Sequence, residues 1–207
     1  MKLVLGSASP RRRELLTQLV AEFEVEPSAA FERRARAGEE PSSYALSLAL
    51  AKANEVAARR PDAIVLAADT IVVLGSTILG KPTSGTDAFE MLSVLRGRTH
   101  QVITAVVARG AGTQGQGTAS TEVTMALAED EQIRAYIATG EPMDKAGAYA
   151  IQGLGGALVT GINGCYTNVV GLPLCLTSRL LQQWNIRPAR IRCDHAENTV
   201  PRTESAH

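Results

Sequence analysis

The chain contains few of the residues that build metal clusters or disulfide frameworks. Among its 207 residues are three cysteines and three histidines, and neither set has the spacing of a zinc site. Because no CxxC pair is present, we expect no disulfide framework and predict reduced thiols, as in a cytosolic protein. The cysteines are Cys165, Cys175 and Cys193. The histidines, at positions 100, 195 and 207, are too scattered to indicate a histidine-based triad.

The chain also lacks an excess of charge and a supply of aromatic residues. Its 21 basic and 21 acidic residues give a formal net charge of zero, and aromatic residues make up only 4%. Both values disfavour nucleic-acid binding, which depends on a basic surface and on aromatic stacking. Any anion must therefore be bound by a local cluster of cations.

Long hydrophobic runs are missing as well. No run approaches the ~20 apolar residues that a membrane-spanning helix needs, and the N-terminus lacks the pattern of a signal peptide. We therefore predict a cytoplasmic protein with no membrane partner. A hydrophobic content of 45% with 20% charged residues is typical of a soluble globular protein.

Strand and helix signals alternate along the chain, which predicts a single α/β domain whose mixed, twisted sheet is flanked by helices. This domain spans residues 1–184, and we expect 185–207, where apolar residues are sparse, to be a poorly ordered tail. Residues 110–117 are predicted to form a hairpin loop, and Asn163-Gly164 predicts a hairpin turn between strands 157–159 and 165–170. The other predicted elements are helices 10–20, 43–60, 86–95, 129–140 and 174–184, and strands 3–5, 23–26, 64–68, 70–74, 77–79, 100–108 and 121–127.

The first sixteen residues contain a candidate anion site. The apolar run Leu3–Leu5 predicts a buried strand, and Ser9 followed by Pro10 is typical of a helix N-cap and first helical position. The first turn of this helix then carries Arg11, Arg12 and Arg13. Cations are unfavourable at a helix N-terminus, which is already partly positive, unless an anion such as phosphate lies in front of them. The alternative is a solvated basic turn.

Asp69 is the sharpest single candidate for catalysis, because it interrupts two apolar runs, 65–68 and 71–73. A lone carboxylate is costly to bury. We therefore predict that Asp69 lies at the end of a strand, where the active sites of α/β proteins gather. The alternative is an aspartate that caps a turn.

Three further polar residues stand out from their surroundings. Lys81 follows the predicted hairpin and precedes a proline, and Lys52 lies on the long helix, where a lysine is usually solvated. Gln152 lies in a segment rich in glycine and alanine, and its amide can both donate to and accept from a base edge. The alternative for Gln152 is a structured loop whose polar groups satisfy the backbone.

Several segments, taken together and in this order, resemble the Maf family of nucleoside triphosphate pyrophosphatases. The resemblance covers about residues 2–184. The matching segments are SASPRR (7–12), LALAKA (48–53), ADTIV (68–72), GKP (80–82), GRTHQV (97–102) and GEPMDKAGAYAIQG (140–153), extended by NG (163–164) and VGLP (170–173).

The resemblance implies a nucleotide cleft of the Maf and inosine-triphosphatase type. It implies hydrolysis of a nucleoside triphosphate to the monophosphate and pyrophosphate with a divalent metal, Mg²⁺ or alternatively Mn²⁺. It also implies a cytoplasmic homodimer that clears nucleotides, in a family linked to septum formation. The implied catalytic residues are Asp69 (the general base), Lys52 and Lys81. The implied substrate-binding residues are Ser7, Arg11, Arg12, Thr70 and Gln152, and the implied metal ligands are Glu32 and Asp69.

The resemblance extends to base choice. Arg11, Thr70 and Gln152 match the subfamily that cleaves dTTP and UTP, with modified pyrimidine nucleotides as further candidates. The chain departs from the family at Phe31, where an aspartate is common, and at Ser47, where an arginine is common. A non-catalytic regulator that binds nucleotide or a cell-division partner is the alternative function. Asp69 argues against it, because a carboxylate beside phosphates does not help binding.

Overall fold

A computed structural model describes residues 1–186, and the predicted disorder of the tail falls almost entirely on residues outside this range. The described chain forms an α/β fold with a mixed seven-stranded sheet, as the sequence predicted. The strands are β1 Leu3–Leu5, β2 Glu24–Val25, β3 Ile64–Leu74, β4 Thr77–Leu79, β5 Thr99–Gly110, β6 Thr113–Met125 and β7 Val159–Asn163. The helices are α1 Pro10–Thr17, α2 Pro41–Arg59, α3 Gly85–Leu95, α4 Asp130–Ala138, α5 Tyr166–Val170 and α6 Leu174–Leu181.

The sheet has the order β2-β1-β3-β5-β6-β7, with β4 added to β3. Strand β1 pairs in parallel with β2 and β3, and the remaining pairs are antiparallel. Helix α2 covers one face of β3 and β5 through an apolar cluster that includes Leu48 and Ala53. Helices α1 and α6 cover the opposite face, where Leu16, Leu172 and Leu180 are buried. No helix within residues 1–186 is long and apolar enough to cross a membrane.

The long strand β3 has a gap along one of its edges, and this gap locates the functional cleft. Strand β5 pairs with one edge of β3 from Val65 to Val73. On the other edge, β1 pairs only as far as Leu66 and β4 begins only at Val72. Between these two partners the β3 edge has no neighbouring strand, so the side chains at this position are free to border a cavity.

The structure corrects the prediction that Asp69 lies at a strand end. Asp69 lies in the middle of β3, opposite Ala105 of β5, and the two apolar runs on either side of it form one strand. The prediction failed because the charge is compensated by a distant partner rather than by solvent at a strand end. The strand that ends near Asp69 is the neighbouring strand β1, which pairs with β3 only as far as Leu66.

Three further local predictions were wrong. Residues 113–117 belong to strand β6, because β5 and β6 pair directly up to Gly110 and Thr113. Asn163-Gly164 is not a hairpin turn, since residues 166–170 form helix α5 rather than a strand. Cys175 is disulfide-bonded, which contradicts the expectation of reduced cysteines, whereas Cys165 is a free thiol.

Candidate active site

A cavity of about 810 Å³ opens at the unpaired edge of β3. Its lining includes every residue that the sequence analysis assigned to catalysis, substrate or metal. These residues are Ser7, Arg11, Arg12, Glu32, Lys52, Asp69, Thr70, Lys81 and Gln152. They come from the β1–α1 loop, the first turn of helix α1, the loop before α2, helix α2, strand β3, the segment after β4 and the loop before β7. The fold therefore gathers them from seven separate parts of the chain into one site.

A carboxylate, a lysine and a second carboxylate form the centre of this cavity. Asp69 points from β3 toward α2, where its Oδ1 accepts a hydrogen bond of 2.5 Å from Lys52 Nζ. The same ammonium donates to Glu32 Oε1 at 2.6 Å. Lys52 is not the solvated helix lysine of the alternative interpretation, because only 14% of its side chain is exposed. Lys81 lies on the open side of the cluster, with Nζ 3.8 Å from Glu32 Oε2.

The two carboxylates have pKa values that move in opposite directions. Burial raises the pKa of Asp69 above its ordinary value, although Lys52 and Arg12 partly oppose the effect. Burial also acts on Glu32, but the hydrogen bond from Lys52 and the charges of Lys52 and Lys81 outweigh it and leave its pKa below the ordinary value. Such a divergence is typical of a site that assigns different roles to two acids.

The β1–α1 loop and the first turn of α1 both border the cavity. Ser9 is the N-cap of α1, as predicted, and its hydroxyl accepts from the backbone N–H of Arg12. Residues 6–12 line the cavity, so this helix N-terminus faces it. A helix N-terminus with neighbouring guanidinium groups is suited to binding phosphate.

The guanidinium of Arg12 is held in place by three hydrogen bonds within the protein. Nε donates to the carbonyl oxygen of Gly171 at 2.8 Å, Nη1 to Ser7 Oγ at 3.3 Å and Nη2 to Thr70 Oγ1 at 3.0 Å. Burial lowers the pKa of Arg12, but arginine stays protonated in proteins. With three of its five N–H groups occupied, Arg12 is oriented and still has donors for a ligand.

Thr70 supports Arg12 rather than presenting a free hydroxyl to the cavity. Its Oγ1 accepts from Arg12 and lies 2.9 Å from Thr104 Oγ1, which in turn donates to the carbonyl oxygen of Asn168. Because side chains alternate along a strand, Thr70 faces away from Asp69. The resemblance assigned Thr70 to the choice of nucleobase, whereas the contacts of Thr70 connect it to Arg12.

Gln152 lines the cavity from the loop before β7. Its side-chain amide has no hydrogen-bond partner among residues 1–186 and is therefore free to bind a ligand. Arg11 also lines the cavity, and its charge acts on Asp144. Burial tends to raise the pKa of Asp144, but Lys145 and Arg11 together lower it below its ordinary value.

A family model described as Maf-like protein matches residues 2–184. The chain belongs to this family. A protein of Moorella thermoacetica named dTTP/UTP pyrophosphatase is 53% identical over 182 residues, which cover 87% of this chain and 93% of the relative. Proteins with the same name are 49% identical in Koribacter versatilis, over 88% of this chain and 94% of the relative, and in Thermococcus onnurineus, over 86% and 95%.

The structure of this Maf-like chain shows what surrounds its two departures from the family pattern. Ser47 accepts a hydrogen bond of 2.7 Å from Arg33 Nη2, and the same guanidinium pairs with Glu39. An arginine from the neighbouring loop thus reaches the position where the family often has one. Phe31 is 87% exposed and does not line the cavity, so Glu32 alone of the Phe31-Glu32 pair faces it.

Three charged residues of the cavity were missed by sequence reasoning. Arg34, Asp144 and Lys145 also line it. Six cationic and three acidic side chains therefore border the cavity, an excess of three positive charges. Arg34 lies in a charged loop with no helix or strand pattern, and no local signal distinguishes it from its neighbours Arg33 and Arg36. Lys145 lies within the GEPMDKAGAYAIQG segment, which was the signal that could have identified it.

Glu32 and Asp69 are suited to a divalent cation that is shared with a substrate. Mg²⁺ is usually held by one or two carboxylates together with waters and substrate phosphates. Both carboxylates contact the same Lys52 ammonium, so their oxygens lie close together at the cavity wall. Within residues 1–186, no group of three or more His, Cys, Asp or Glu side chains is placed to hold a metal. Glu32 and Asp69 are therefore the carboxylates of the cavity wall that could contribute oxygen ligands to a divalent cation.

Proposed function

We propose that this protein hydrolyses dTTP and UTP to the nucleoside monophosphate and pyrophosphate. The observation that carries the proposal is the buried Asp69–Lys52 pair, which lies in the same cavity as the phosphate-binding β1–α1 loop. The excess of three positive charges complements a triphosphate, whose cleavage depends on positioning and charge neutralisation. The relatives' names support the substrate and the position of the cleaved bond.

In the proposed mechanism, Asp69 is the general base. A carboxylate oxygen of Asp69 accepts a proton from a water molecule, and the oxygen of that water forms a bond to the α-phosphorus. The bond from the α-phosphorus to the bridging oxygen breaks, and pyrophosphate leaves. Lys52 orients Asp69, while Arg12, Lys81 and Ser7 hold the phosphates. Glu32 and Asp69 would hold a divalent cation, Mg²⁺ by preference, which would neutralise phosphate charge when bound.

We assign base recognition to Gln152 and Arg11, which line the same cavity. A uracil or thymine ring offers carbonyl acceptors and one ring N–H, and the amide of Gln152 can match both kinds of group. Arg11 adds further donors. Thr70 contributes through the orientation of Arg12, because its hydroxyl already contacts that guanidinium.

Pyrophosphate release from a panel of nucleoside triphosphates with Mg²⁺ tests the function directly. We expect dTTP and UTP to be cleaved much faster than ATP, GTP or 7-methyl-GTP. If no triphosphate releases pyrophosphate although dTTP binds, the protein is a nucleotide-binding regulator and the proposal is wrong. A clear preference for a purine triphosphate would reject the assigned base specificity alone.

Changing the base-recognition residues is expected to change base choice. The double variant combines Gln152→Glu with Arg11→Trp. The first change replaces an amide that donates and accepts by a carboxylate that only accepts. The second replaces the guanidinium donors by an aromatic ring, which stacks on a cationic methylated base. Each mismatched polar contact is worth roughly 1–3 kcal/mol. We therefore expect kcat/KM for dTTP to fall and that for 7-methyl-GTP to rise, measured as initial rates of pyrophosphate release. An unaltered pyrimidine preference would show that these positions do not contact the base.

Two expectations concern the protein as a whole. We propose a homodimer in the cytoplasm, as the resemblance implies. Sedimentation or light scattering of the full chain measures its oligomeric state. A molar mass equal to the 21.9 kDa of one chain would reject the homodimer.

A further inference from the structure

The segment that carries Gln152 is hydrogen-bonded to two residues outside the cleft, Tyr136 and Glu141. Tyr136, on α4, donates from its hydroxyl to Glu141 Oε1 at 2.9 Å. Glu141 follows α4 directly, in a short 3₁₀ turn. The tyrosine is only 6% exposed and packs in the apolar cluster formed by α3, α4 and the sheet. Tyr136 and Glu141, which we call the Tyr–Glu clamp, thus extend from a packed core.

The clamp binds backbone N–H groups on both sides of Gln152. Two residues before it, the N–H of Ala150 donates to Tyr136 Oη at 3.2 Å. Two and three residues after it, the N–H groups of Leu154 and Gly155 donate to Glu141 at 3.1 and 2.9 Å. The amide of Gln152 is therefore presented by a short span of chain that is anchored at both ends.

Two glycines allow the backbone to approach the clamp this closely. A Cβ atom on Gly153 would lie 2.6 Å from Glu141 Oε2, and Gly153 has a φ of +99°, which disfavours other residues. A Cβ atom on Gly155 would lie 2.5 Å from the Tyr136 hydroxyl. The local sequence and the clamp are thus matched to each other.

The charge of Glu141 suits it to this role. Burial tends to raise its pKa, but the hydrogen bonds from Gly155, Leu154 and Tyr136 outweigh burial and leave the pKa below its ordinary value. The group is therefore ionised at neutral pH and accepts all three bonds. Hydrogen bonds to a charged acceptor are shorter and stronger than those between neutral groups.

We propose that Tyr136 and Glu141 are positioning residues for nucleobase recognition, which act by holding Gln152 in place. The inference rests on the proposed role of Gln152 in base recognition. Neither clamp residue lines the substrate cavity, so their effect must pass through the loop. A loosened loop weakens a base contact that depends on geometry, whereas Asp69 and Lys52, on β3 and α2, keep their arrangement.

Glu141→Gln tests the clamp because it keeps the size of the side chain but replaces one acceptor oxygen by a donor NH₂ group. We expect the ratio of kcat/KM for dTTP to that for GTP to fall about tenfold, as when a site loses a directed hydrogen bond. The loss should appear mainly as a higher KM for dTTP, with a smaller change in kcat. Tyr136→Phe, which removes only the hydroxyl, should act in the same direction. Glu131→Gln is the matched control, since Glu131 is an exposed residue of α4.

A double-mutant cycle with Gln152→Ala decides whether the clamp acts through Gln152. In that background, Glu141→Gln should change the dTTP/GTP ratio less than about twofold, because the group it positions has been removed. Equal effects of Glu141→Gln in both backgrounds, or a single variant with unchanged selectivity, would overturn the positioning role. Melting temperatures identify variants that are merely unfolded, and Tyr136→Phe then replaces Glu141→Gln in the cycle. If Gln152→Ala itself leaves the ratio unchanged, the assignment of Gln152 to the base is wrong, and the inference falls with it.

Discussion

Asp69→Asn is expected to lower kcat for dTTP by about 10²–10⁴-fold, the range typical of removing a general base. The asparagine has nearly the same shape, and its amide oxygen can still accept from Lys52. The cations that line the cavity remain in place. We therefore expect the affinity for dTTP to stay within about tenfold of the wild type, because the lost interaction belongs to the transition state.

Two measurements separate this result from a structural defect. Asp62→Asn, at an exposed position before β3, is the matched control and should keep full activity. The melting temperature of Asp69→Asn should change little, because the variant removes the cost of a buried charge and Lys52 keeps its contact with Glu32. Turnover close to that of the wild type would remove Asp69 from the mechanism.

Lys52→Ala is expected to reduce kcat/KM for dTTP by about 10²-fold or more, as for other losses of a positioned charge in an active site. The structure gives a reason beyond the loss of a phosphate contact. Lys52 is the hydrogen-bond partner of Asp69, and removing one partner of a buried pair leaves the other charge uncompensated. Asp69 would then be more readily protonated and less precisely oriented.

Two other lysines are compared with this variant, and Lys2 is the control. Lys2→Ala removes a surface ion pair of the same 2.6 Å length as Lys52–Glu32, but with 73% of the lysine side chain exposed, and should have no effect on turnover. Lys81→Ala, at a position 57% exposed, should also impair binding, and its defect should shrink as salt rises because exposed charges are screened. A fully active Lys52→Ala enzyme would show that the Asp69–Lys52 pair is structural only.

Local sequence signals predicted those parts of the site whose partners are close along the chain. The N-cap of α1 joins Ser9 and Arg12, three residues apart, so the pattern Ser-Pro-Arg-Arg was enough to predict it. The fold class followed in the same way from the alternation of strand and helix signals. Local signals failed where strand pairing overrode composition: residues 113–117 form a strand because the preceding strand β5 pairs with them, although their composition is typical of a loop.

The resemblance to the Maf family supplied candidate residues, but it did not supply their contacts. Thr70 illustrates the difference, because its position was predicted and its attachment to Arg12 and Thr104 was not. Glu141 illustrates it further, since it stood within a quoted motif without an assigned role. Its three hydrogen bonds connect residues 5 to 14 positions apart through a turn whose geometry the sequence does not reveal.

The sequence by itself determined the α/β class, the N-cap of α1 and most of the polar residues that line the cavity. These depend on short-range patterns of hydrophobicity, capping and motif order. Only the tertiary structure decided that β3 runs unbroken through Asp69, that its edge is open between β1 and β4, and that Lys52 meets Asp69 there. The physical reason is that a buried carboxylate is tolerated only where a partner compensates its charge, and that partner comes from a separate helix, 17 residues away in the sequence.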